Sequence, residues 1–434
     1  MNPQAGTSIA APLPVVSNEF RYWQRRILIT SLVGYAFFYL VRKNLSFAMP
    51  GIKAQLGLSK AELGFYLFTL HGVVYGVSKF LNGFVADRVN ARWYMVTGLV
   101  LSAAMNFCFG FSSAVVTLGV FWVLNGWFQG MGFPPCARLM THWFSPRELA
   151  TKMSIWNTSH SWGAAAAQIL SGYLAIKLGW RAIFWIPGML AIVAAIVMAF
   201  RLRDTPTSVG LPELPDTHVA NAPAEDHDFN KFIRRQVLTN PAIWVFAIAN
   251  FFVYAVRYSF LDWGPTLLKE AKGVELNESG WLLAAFEISG VAGMLLSGWI
   301  TDKVFGGRGA RTCVFCMFMA SLSALAFCYA PSSTLVNAVL LGCAGFFIYG
   351  PQALVGICAA NLATKRAAAT AVGFTGIFGY LSTTLSGWGL GKLADVFGWH
   401  AGFLAIIAFG LVGTALFALG WNLRPHGYAN APTH

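Results

Sequence analysis

Two short stretches carry the same pattern: Phe37-Phe38-Tyr39-Leu40-Val41-Arg42 and Phe252-Val253-Tyr254-Ala255-Val256-Arg257. The two arginines are 215 positions apart, and each lies within a long apolar segment. A guanidinium group within hydrocarbon costs about 2.5–3.5 kcal/mol on insertion scales. Because the chain carries this cost twice, at equivalent positions, we expect both charges to serve one anionic ligand.

The spacing of 215 residues recurs at other positions along the chain. It relates Pro50 to Pro265, Asp87 to Asp302, and Ser171-Gly172 to Ser386-Gly387. The stretch Gly179-Trp180-Arg181-Ala182 returns as Gly398-Trp399-His400-Ala401, 219 residues later. Self-similarity at a fixed spacing indicates a duplicated unit. Parallel repeats related by an axis along the membrane normal are a known transporter plan, with the substrate site between the halves near the bilayer midplane.

The composition is that of a protein that crosses a membrane many times. Of the 434 residues, 56% are hydrophobic and 11% are charged, and the mean hydropathy is +0.59. Soluble domains carry about 25% charged residues. Apolar stretches of about 20 residues, long enough to span a bilayer, occur at 27–48, 61–86, 93–112, 115–140, 153–176, 181–201, 243–268, 279–300, 312–330, 333–360, 369–395 and 401–421. We therefore predict an all-α membrane protein with 12 transmembrane helices, built as two six-helix halves with pseudo-two-fold symmetry.

A polar segment separates the two halves. Residues 202–240 are rich in proline and acidic residues and show no helical periodicity, which is typical of a linker. The predicted organisation is an N-terminal segment 1–26, a six-helix half 27–201, the linker 202–240, a second six-helix half 241–421 and a tail 422–434.

Cationic residues are concentrated in alternate loops. Arg25 and Arg26 before the first span, and Arg201 and Arg203 after the sixth, lie on the side that also holds the linker. By the positive-inside rule, both termini and the linker are expected in the cytoplasm. The net charge of +13 is spread over many short loops, which favours a topological signal over a nucleic-acid-binding surface.

The candidate ligand residues begin on the first and seventh spans. Tyr35, Tyr39 and Arg42 are spaced four and three apart and share one helix face, and Tyr254 and Arg257 repeat the arrangement. A guanidinium offers five donors in a planar fork that suits phosphate oxygens, and tyrosine hydroxyls add neutral donors. The alternative is an arginine that extends to a membrane surface, which Arg42 could do from the end of its helix.

The second span carries a polar stripe. His71, Tyr75 and Lys79 follow one another at intervals of four residues, so they share a face. Such a stripe would be costly against lipid, and we expect it to line a central cavity. Lys79 either holds an anion or pairs with a carboxylate.

The fifth span adds Trp156, Asn157 and His160, with Trp156 and His160 one helical turn apart. A histidine within the membrane can donate to an anion, carry a proton, or be a satisfied structural residue. Its proximity in pattern to two buried arginines favours a ligand role.

Two carboxylates are candidates for charge balance. Glu287 lies deep in the eighth span, and Asp262 follows Arg257 by five residues. Glu287 either neutralises a cation such as Arg257 or couples proton movement, and charge balance is the favoured interpretation. Asp262 is the second candidate partner of Arg257.

A glycine-acid-base motif closes the second and eighth spans. It reads Gly83-x-x-x-Asp87-Arg88-x-x-x-Arg92 in the first half, and Gly298-x-x-x-Asp302-Lys303 with Arg311 nearby in the second. The aspartates can pair with basic groups on neighbouring helix ends and hold a cytoplasmic gate in one state. The alternative is a solvated basic turn. The motif resembles the signature of the major facilitator superfamily.

Taken together, the motifs resemble those of the organophosphate:phosphate antiporter family of that superfamily. The resemblance runs from about residue 20 to 421 and rests on Tyr39-Leu-Val-Arg42-Lys43-Asn44, Tyr75-Gly-Val-Ser-Lys79-Phe80, Gln129-Gly-x-Gly-x-Pro-Pro-Cys136, Trp156-Asn157-Thr-Ser-His160, Arg257 with Asp262-Trp263, and Tyr349-Gly350-Pro351-Gln352. It implies the major facilitator fold and the exchange of a hexose 6-phosphate or glycerol 3-phosphate for inorganic phosphate across a bacterial inner membrane.

The resemblance also implies roles for individual residues. Arg42 and Arg257 correspond to paired substrate arginines, and His160 to a ligand on the fifth helix. The basic residues and tyrosines that would line the pore are Lys43, Lys79, Tyr39, Tyr75, Tyr254, Tyr349 and Tyr380.

Alternative functions use the same pocket. The stretches at Arg21-Tyr-Trp and Arg201-Leu-Arg-Asp-Thr-Pro are similar to the sensor branch of the family, which signals to a membrane kinase. A weaker alternative is a proton-coupled carboxylate carrier that uses Glu287 or His160. No Walker-type loop or catalytic triad occurs, and Cys313-x-x-Cys316 lacks a second ligand pair. We expect no enzyme activity, no cofactor, no metal and a monomer in the lipid bilayer.

Overall fold

The computed structural model describes residues 17–86, 88–144, 152–153, 155–214, 234–363 and 368–423. The first half contains α1 (Asn18–Leu40), α2 (Leu45–Leu56), α3 (Lys60–Leu63), α4 (Leu70–Ala86), α5 (Ala91–Phe111), α6 (Val115–Gln129), α7 (Phe133–Trp143), α8 (Ser159–Lys177) and α9 (Ala182–Arg201). The second half contains α10 (Pro241–Lys272), α11 (Leu276–Lys303), α12 (Gly309–Tyr329), α13 (Thr334–Leu362), α14 (Ala368–Leu381) and α15 (Leu390–Leu419). No β-strand occurs in these ranges, in agreement with the predicted all-α fold.

Shorter elements join these helices. Two π-helical turns, Gly64–Thr69 and Thr384–Gly389, precede α4 and α15. In the linker region a 3-10 turn spans Pro206–Val209 and a π-helical turn spans Arg234–Leu238. We call the side where α1 begins and α9 ends the linker face, and the other side the opposite face.

Local chemistry sets several helix ends. Ser59 and Glu62 form a reciprocal capping box at α3, and the Asn90 side chain accepts from the Trp93 N–H at the start of α5. Asn240 caps α10 through the Ala242 N–H, and Pro241 supplies a fixed φ at its first position. Gly273 ends α10 at φ +66°, a left-handed conformation that favours glycine. These signals lie in the polar loops between the apolar stretches, as the hydropathy pattern predicts.

Seven helical stretches of the described chain are long and apolar enough to cross a membrane: Ala91–Phe111, Ala182–Arg201, Pro241–Lys272, Leu276–Lys303, Gly309–Tyr329, Thr334–Ala359 and Thr370–Leu419. The last has 50 residues and contains a kink at Gly398, where φ is +77°. Several other predicted spans are interrupted by turns. The chain is a multi-pass helical membrane protein, and the count of twelve stays a prediction.

The first predicted span is not one continuous helix. It ends at Leu40 and resumes at Leu45, so that Arg42 and Lys43 lie in a turn. The N–H groups of both residues donate to the Tyr39 carbonyl, at 3.2 and 2.9 Å. The related arginine, Arg257, lies within the unbroken α10. The repeated sequence pattern therefore has a different backbone in each half.

Glycines bring the two halves into backbone contact. A Cβ atom on Gly172 of α8 would lie 2.5 Å from the Leu276 carbonyl oxygen of α11, and one on Gly280 would lie 2.7 Å from the Gln168 oxygen. A Cβ on Gly387 would lie 3.0 Å from the oxygen of Gly64. Both Ser-Gly dipeptides of the sequence repeat thus lie where one half meets the other, at contacts only a hydrogen side chain permits.

An ionic cluster joins the halves at the opposite face. Glu270 at the end of α10 accepts from Lys53 at 2.8 Å and from Lys60 at 3.1 Å, and Lys60 also lies 3.5 Å from Asp395. The Trp399 indole donates to Glu270 at 2.7 Å. Burial disfavours the charge on Lys53, but the hydrogen bond with Glu270 outweighs it and raises the pKa of Lys53. The opposite face is therefore closed in this structure.

The linker face has no matching ionic closure among the described residues. Asp302 and Lys303 are exposed, and neither forms an ion pair in the described chain. Arg88 is also exposed, and Arg92 stacks on Trp93 at 4.5 Å. Asp87 lies outside the described residues.

Arg311 donates from Nε to the Trp421 carbonyl oxygen at 3.2 Å, so it contacts the end of the chain rather than an acid. The pairs predicted for the second-half motif are thus not formed in this state. The gate role of these residues remains a prediction.

The glycine contact between α8 and α11 generates a stability prediction. Gly172→Val would force a Cβ against a backbone oxygen, which cannot move aside as a flexible side chain could. Overpacking costs typically about 1–3 kcal/mol, so we expect a lower thermal unfolding midpoint in detergent.

Gly376→Val is the matched control, because no heavy atom lies within 4 Å of its Cβ position. Both changes place a β-branched residue in a helix, so their intrinsic propensity effects are similar. Equal midpoints for the two variants would contradict the packing argument.

Candidate functional site

A cavity of about 660 Å³ lies between the halves. Small-molecule sites in proteins typically measure about 300–1,000 Å³. The lining extends toward the linker face as far as Gly298 of α11 and Ile357 of α13. Because the opposite face is closed by the ionic cluster, the cavity is approached from the linker face.

Most of the predicted ligand residues line this cavity. They are Tyr39, Arg42, Lys43, His71, Tyr75, Lys79, Asn157, His160, Tyr254, Arg257, Asp262 and Tyr380. Both arginines are among them, one from each half, so neither is directed only at lipid or headgroups. Trp156, Tyr349 and Glu287 are not in the lining.

Arg42 is held by aromatic rings. Its guanidinium carbon lies 3.9 Å from the Tyr39 ring centroid and 4.7 Å from that of Tyr75. Such cation–π contacts stabilise a desolvated cation by about 2 kcal/mol each at most. No carboxylate pairs with Arg42 within the described part of the chain. Its positive charge is thus available to a ligand in the cavity.

Arg257 has the opposite environment. It is 4% exposed, donates to the Tyr349 hydroxyl at 2.6 Å and lies 3.6 Å from an oxygen of Glu287, which is fully buried. Tyr349 donates in turn to Glu287. The favoured interpretation of Glu287 as a charge-balancing residue agrees with this geometry. Tyr349 lies behind the cavity wall and links the two charges.

Asp262 differs from the prediction. It pairs with Lys43 of the first half at 3.1 Å, and Arg257 is paired with Glu287 instead. Five residues along a helix rotate a side chain by about 140°, so Asp262 faces away from Arg257. The Lys43–Asp262 pair is half-shielded from solvent and crosses between the halves.

Lys79 and His71 occupy the wall formed by α4. The Lys79 ammonium donates to the Tyr380 hydroxyl at 3.3 Å and lies 4.4 Å from the Phe133 ring centroid. It has no carboxylate partner in the described ranges. His71 donates from Nδ1 to the Trp122 carbonyl at 2.9 Å and stacks on the Trp122 ring, so that nitrogen is already committed.

The fifth span also departs in part from the prediction. Trp156 is fully buried and packs on the rings of Tyr35 and Phe133, at 4.8 and 5.5 Å between centroids, behind the cavity wall. A turn at Thr158 interrupts the helix, so the one-turn relation between Trp156 and His160 does not hold. His160 contacts the Asn157 carbonyl through Nδ1.

His160 also connects the two halves by ring contacts. Its ring lies 5.8 Å from that of Tyr39 in the first half and 6.0 Å from that of Tyr349 in the second. Tyr75 and Tyr380 meet across the halves in the same way, at 5.0 Å. Aromatic groups therefore line the space between the two arginines.

Sequence reasoning missed two cavity residues. Tyr258 lines the cavity one position after Arg257 and four after Tyr254, a spacing that could have identified it. Gln352 also lines the cavity, and its Oε1 is buried without a hydrogen-bond partner among the described residues. Gln352 belongs to the Tyr349-Gly350-Pro351-Gln352 motif, but the pattern alone gave it no role.

Comparisons with known proteins agree with this architecture. The chain is 40% identical over 425 residues to a protein named "Probable hexose phosphate transport protein" from Chlamydia pneumoniae, covering 94% of this chain and 93% of the relative. It is 39% identical over 410 residues to the "Glycerol-3-phosphate transporter" of Bacillus subtilis, covering 92% of each. It is also 39% identical over 415 residues to the "Membrane sensor protein UhpC" of Escherichia coli, covering 93% of this chain and 92% of the relative's closely similar Salmonella counterpart.

Solved structures support the fold alone. A bacterial homolog to the human lysosomal transporter Spinster, in an inward-facing and unoccupied conformation, superposes with a TM-score of 0.78 at 18% identity, over 92% of this chain and 97% of that chain. The sequence profile described as "Major Facilitator Superfamily" matches residues 31–387. These relatives are transporters and sensors, not enzymes. The chain belongs to the major facilitator superfamily and, within it, to the branch of hexose-phosphate and glycerol-3-phosphate transporters and sensors.

Proposed function

We propose that this protein is a secondary transporter that exchanges an organophosphate for inorganic phosphate by alternating access. The observation that carries the proposal is the position of Arg42 and Arg257, which line one cavity from different halves. Two planar guanidinium forks can each bind phosphate oxygens in a bidentate manner. An anion bound by both would link the halves directly.

The charges around the cavity match a dianion. Arg42, Lys43, Lys79 and Arg257 contribute four positive charges, and Asp262 and Glu287 contribute two negative ones. With the histidines neutral, this leaves a net charge of +2 among the described groups. A phosphate monoester has a second pKa of about 6 and is mostly a dianion at pH 7. Its binding would neutralise the site, which favours movement of the closed complex through a low-dielectric state.

The same charge argument explains exchange rather than uniport. An empty site keeps two uncompensated cations between the halves as they close, and their repulsion raises the barrier to reorientation. Phosphate or an organophosphate removes that repulsion. We therefore expect the loaded protein to reorient rapidly and the empty protein to reorient slowly, so that transport in one direction requires transport in the other.

Neutral polar groups remain for the organic part of the substrate. Asn157, Thr158 and Gln352 line the cavity alongside the tyrosines and carry no charge. Such side chains suit the hydroxyl groups of a hexose or glycerol unit. The names of the relatives, hexose phosphate and glycerol-3-phosphate transporters, support the same two substrate classes.

We also propose an inner-membrane location with the linker face in the cytoplasm. The arginines at the ends of α1 and α9, including Arg25, Arg26, Arg201 and Arg203, are concentrated on that face. In this orientation the structure is open to the cytoplasm and closed to the outside. A monomer would suffice, because one chain contributes both arginines to the cavity.

A sensor is the second candidate function. It is favoured by the 39% identity to a protein named as a membrane sensor, over nearly the whole chain. A sensor would use the same cavity, and a membrane kinase would detect its change of conformation.

Reconstituted vesicles separate the two functions. Purified protein in liposomes loaded with labelled phosphate should release the label when glucose 6-phosphate or glycerol 3-phosphate is added outside, and not when sulfate is added. A sensor would bind the organophosphate without comparable release. Release at the same rate without any external anion would contradict obligatory exchange.

Lysine substitutions test the role of the guanidinium forks. Arg42→Lys and Arg257→Lys keep the charge but lose bidentate binding. Hydrogen bonds to charged groups contribute about 1.5–3 kcal/mol, so we expect exchange at subsaturating substrate to fall at least about 10-fold in each variant.

Arg181→Lys is the matched control, because Arg181 bonds Gln55 at 2.8 Å near the opposite face and does not line the cavity. It should exchange phosphate at close to the wild-type rate. Wild-type exchange by either cavity variant would remove the argument from bidentate geometry.

Gln352→Leu tests recognition of the organic part. One neutral hydrogen bond contributes about 0.5–1.5 kcal/mol, so the apparent affinity for the organophosphate should fall about 2- to 10-fold. Exchange of phosphate for phosphate should be unchanged. The control Gln24→Leu removes an amide that donates to the Trp143 carbonyl at 2.8 Å, away from the cavity, and should not alter the ratio of the two affinities. An equal fall for both substrates in Gln352→Leu would contradict a role in selectivity.

A further inference from the structure

Three fully buried asparagines meet at the break between α1 and α2. Asn106 of α5 and Asn125 of α6 both donate from Nδ2 to the Val41 carbonyl oxygen, at 3.0 and 3.2 Å. Asn44 donates to the Asn106 side-chain oxygen at 2.8 Å and to the Ile183 carbonyl at 3.0 Å. We call Asn44, Asn106 and Asn125 the asparagine network.

The network replaces a hydrogen bond that the break removes. In a continuous helix the Val41 carbonyl would accept from the N–H of Leu45, four residues on. In the turn it is buried, and a buried unpaired carbonyl is costly. The two amides satisfy it from neighbouring helices. On the other side of Val41, the N–H groups of Arg42 and Lys43 are tied to the Tyr39 carbonyl. The backbone that carries Arg42 is thus fixed by hydrogen bonds on both sides.

The second half provides an internal comparison. The positions 215 residues later hold Ser259, Ser321 and Leu340. Ser259 and Ser321 donate to the carbonyls of Ala255 and Met317 in their own helices, at 2.7 and 2.9 Å. A leucine side chain has no donor. In that half α10 runs unbroken through Arg257. The break and the asparagines occur together in one half, and the related positions of the other half lack both.

The two arginines therefore need different means of orientation. Arg257 is oriented by its side-chain contacts to Glu287 and Tyr349. A carboxylate beside Arg42 would orient that residue as well, but it would cancel one of the two charges left for the ligand. Neutral amides acting on the backbone orient Arg42 without adding negative charge.

We propose that Asn44, Asn106 and Asn125 are positioning residues for anion binding. By holding the break they direct Arg42 over the rings of Tyr39 and Tyr75. The proposal deepens the proposed function and rests on it, because the anion that Arg42 binds is taken to be phosphate. None of the three asparagines lies in the cavity lining.

The experiment exchanges asparagines for the residues of the second half. Asn106→Ser and Asn125→Leu are made in the full chain, and the Kd for inorganic phosphate is measured by calorimetry in detergent. We expect Kd to rise at least 10-fold in Asn106→Ser. Asn125→Leu should show a smaller rise and retain the fold, because Asn106 still donates to the Val41 carbonyl. An unchanged Kd in both variants would overturn the proposal.

Asn337→Leu is the control for loss of a buried asparagine. Asn337 is fully buried in α13, and its side-chain atoms have no hydrogen-bond partner in the described chain. Its Kd for phosphate should stay within 2-fold of wild type. An increase equal to that of Asn106→Ser would indicate a general effect of core substitution and would also overturn the proposal.

A double-variant cycle distinguishes positioning from a structural role. If the network acts through Arg42, Asn106→Ser should change Kd by less than 2-fold in an Arg42→Lys background. Full additivity of the two effects would overturn the proposal.

Hydrogen exchange gives a reading that needs no ligand. Amide exchange of residues 40–46 should be faster in both network variants than in wild type and Asn337→Leu, without added phosphate. If wild-type protein binds no phosphate, the proposed function fails, and hydrogen exchange alone then decides whether the asparagines hold the break. Unchanged exchange in this segment would show that they do not.

Discussion

The cost of placing guanidinium groups in a membrane interior is the constraint on which the cavity depends. Each charge must be compensated, and the two halves achieve this differently. Arg257 is paired with a fully buried carboxylate, and Tyr349 hydrogen-bonds to both partners. Arg42 has only the faces of Tyr39 and Tyr75, which stabilise a cation without neutralising it. The first half therefore keeps an uncompensated charge for a ligand, and the second half supplies a fork whose charge is already balanced.

This asymmetry arises within a duplicated sequence. The six-residue pattern that ends at each arginine is shared, yet α10 continues through Arg257 while the first span breaks at Arg42. The cause lies in neighbouring helices, where asparagines in the first half replace serines and a leucine in the second. A duplicated helix can thus acquire a new backbone without a change in its own motif, because the groups that satisfy its carbonyls come from elsewhere.

The sequence predicted the cavity residues better than their partners. Charged residues in apolar segments and four-residue spacing identified Arg42, Arg257, Lys79 and Tyr75, because burial cost and helix periodicity are local properties. The pairing of Lys43 with Asp262 could not be predicted in this way, since it joins residues 219 positions apart across the two halves. Trp156 was assigned to the cavity because the turn at Thr158 has no proline or glycine signal in the sequence. The ionic cluster at the opposite face depends on which loops meet, and loop charges were visible only as a topology signal.

The closed opposite face combines two kinds of contact with different consequences. Its ion pairs involve side chains that are between 10% and 33% exposed, and pairs near solvent contribute roughly 0–1 kcal/mol each. Contacts this weak can be broken and remade in every cycle. The glycine contacts of α8 with α11, and between the two π-helical turns, define how closely the halves approach but provide little charge stabilisation. The geometry of closure is therefore set by shape, while its free energy is small enough for a bound anion to change. A site that gains two neutralising charges on binding is a sufficient source of that change.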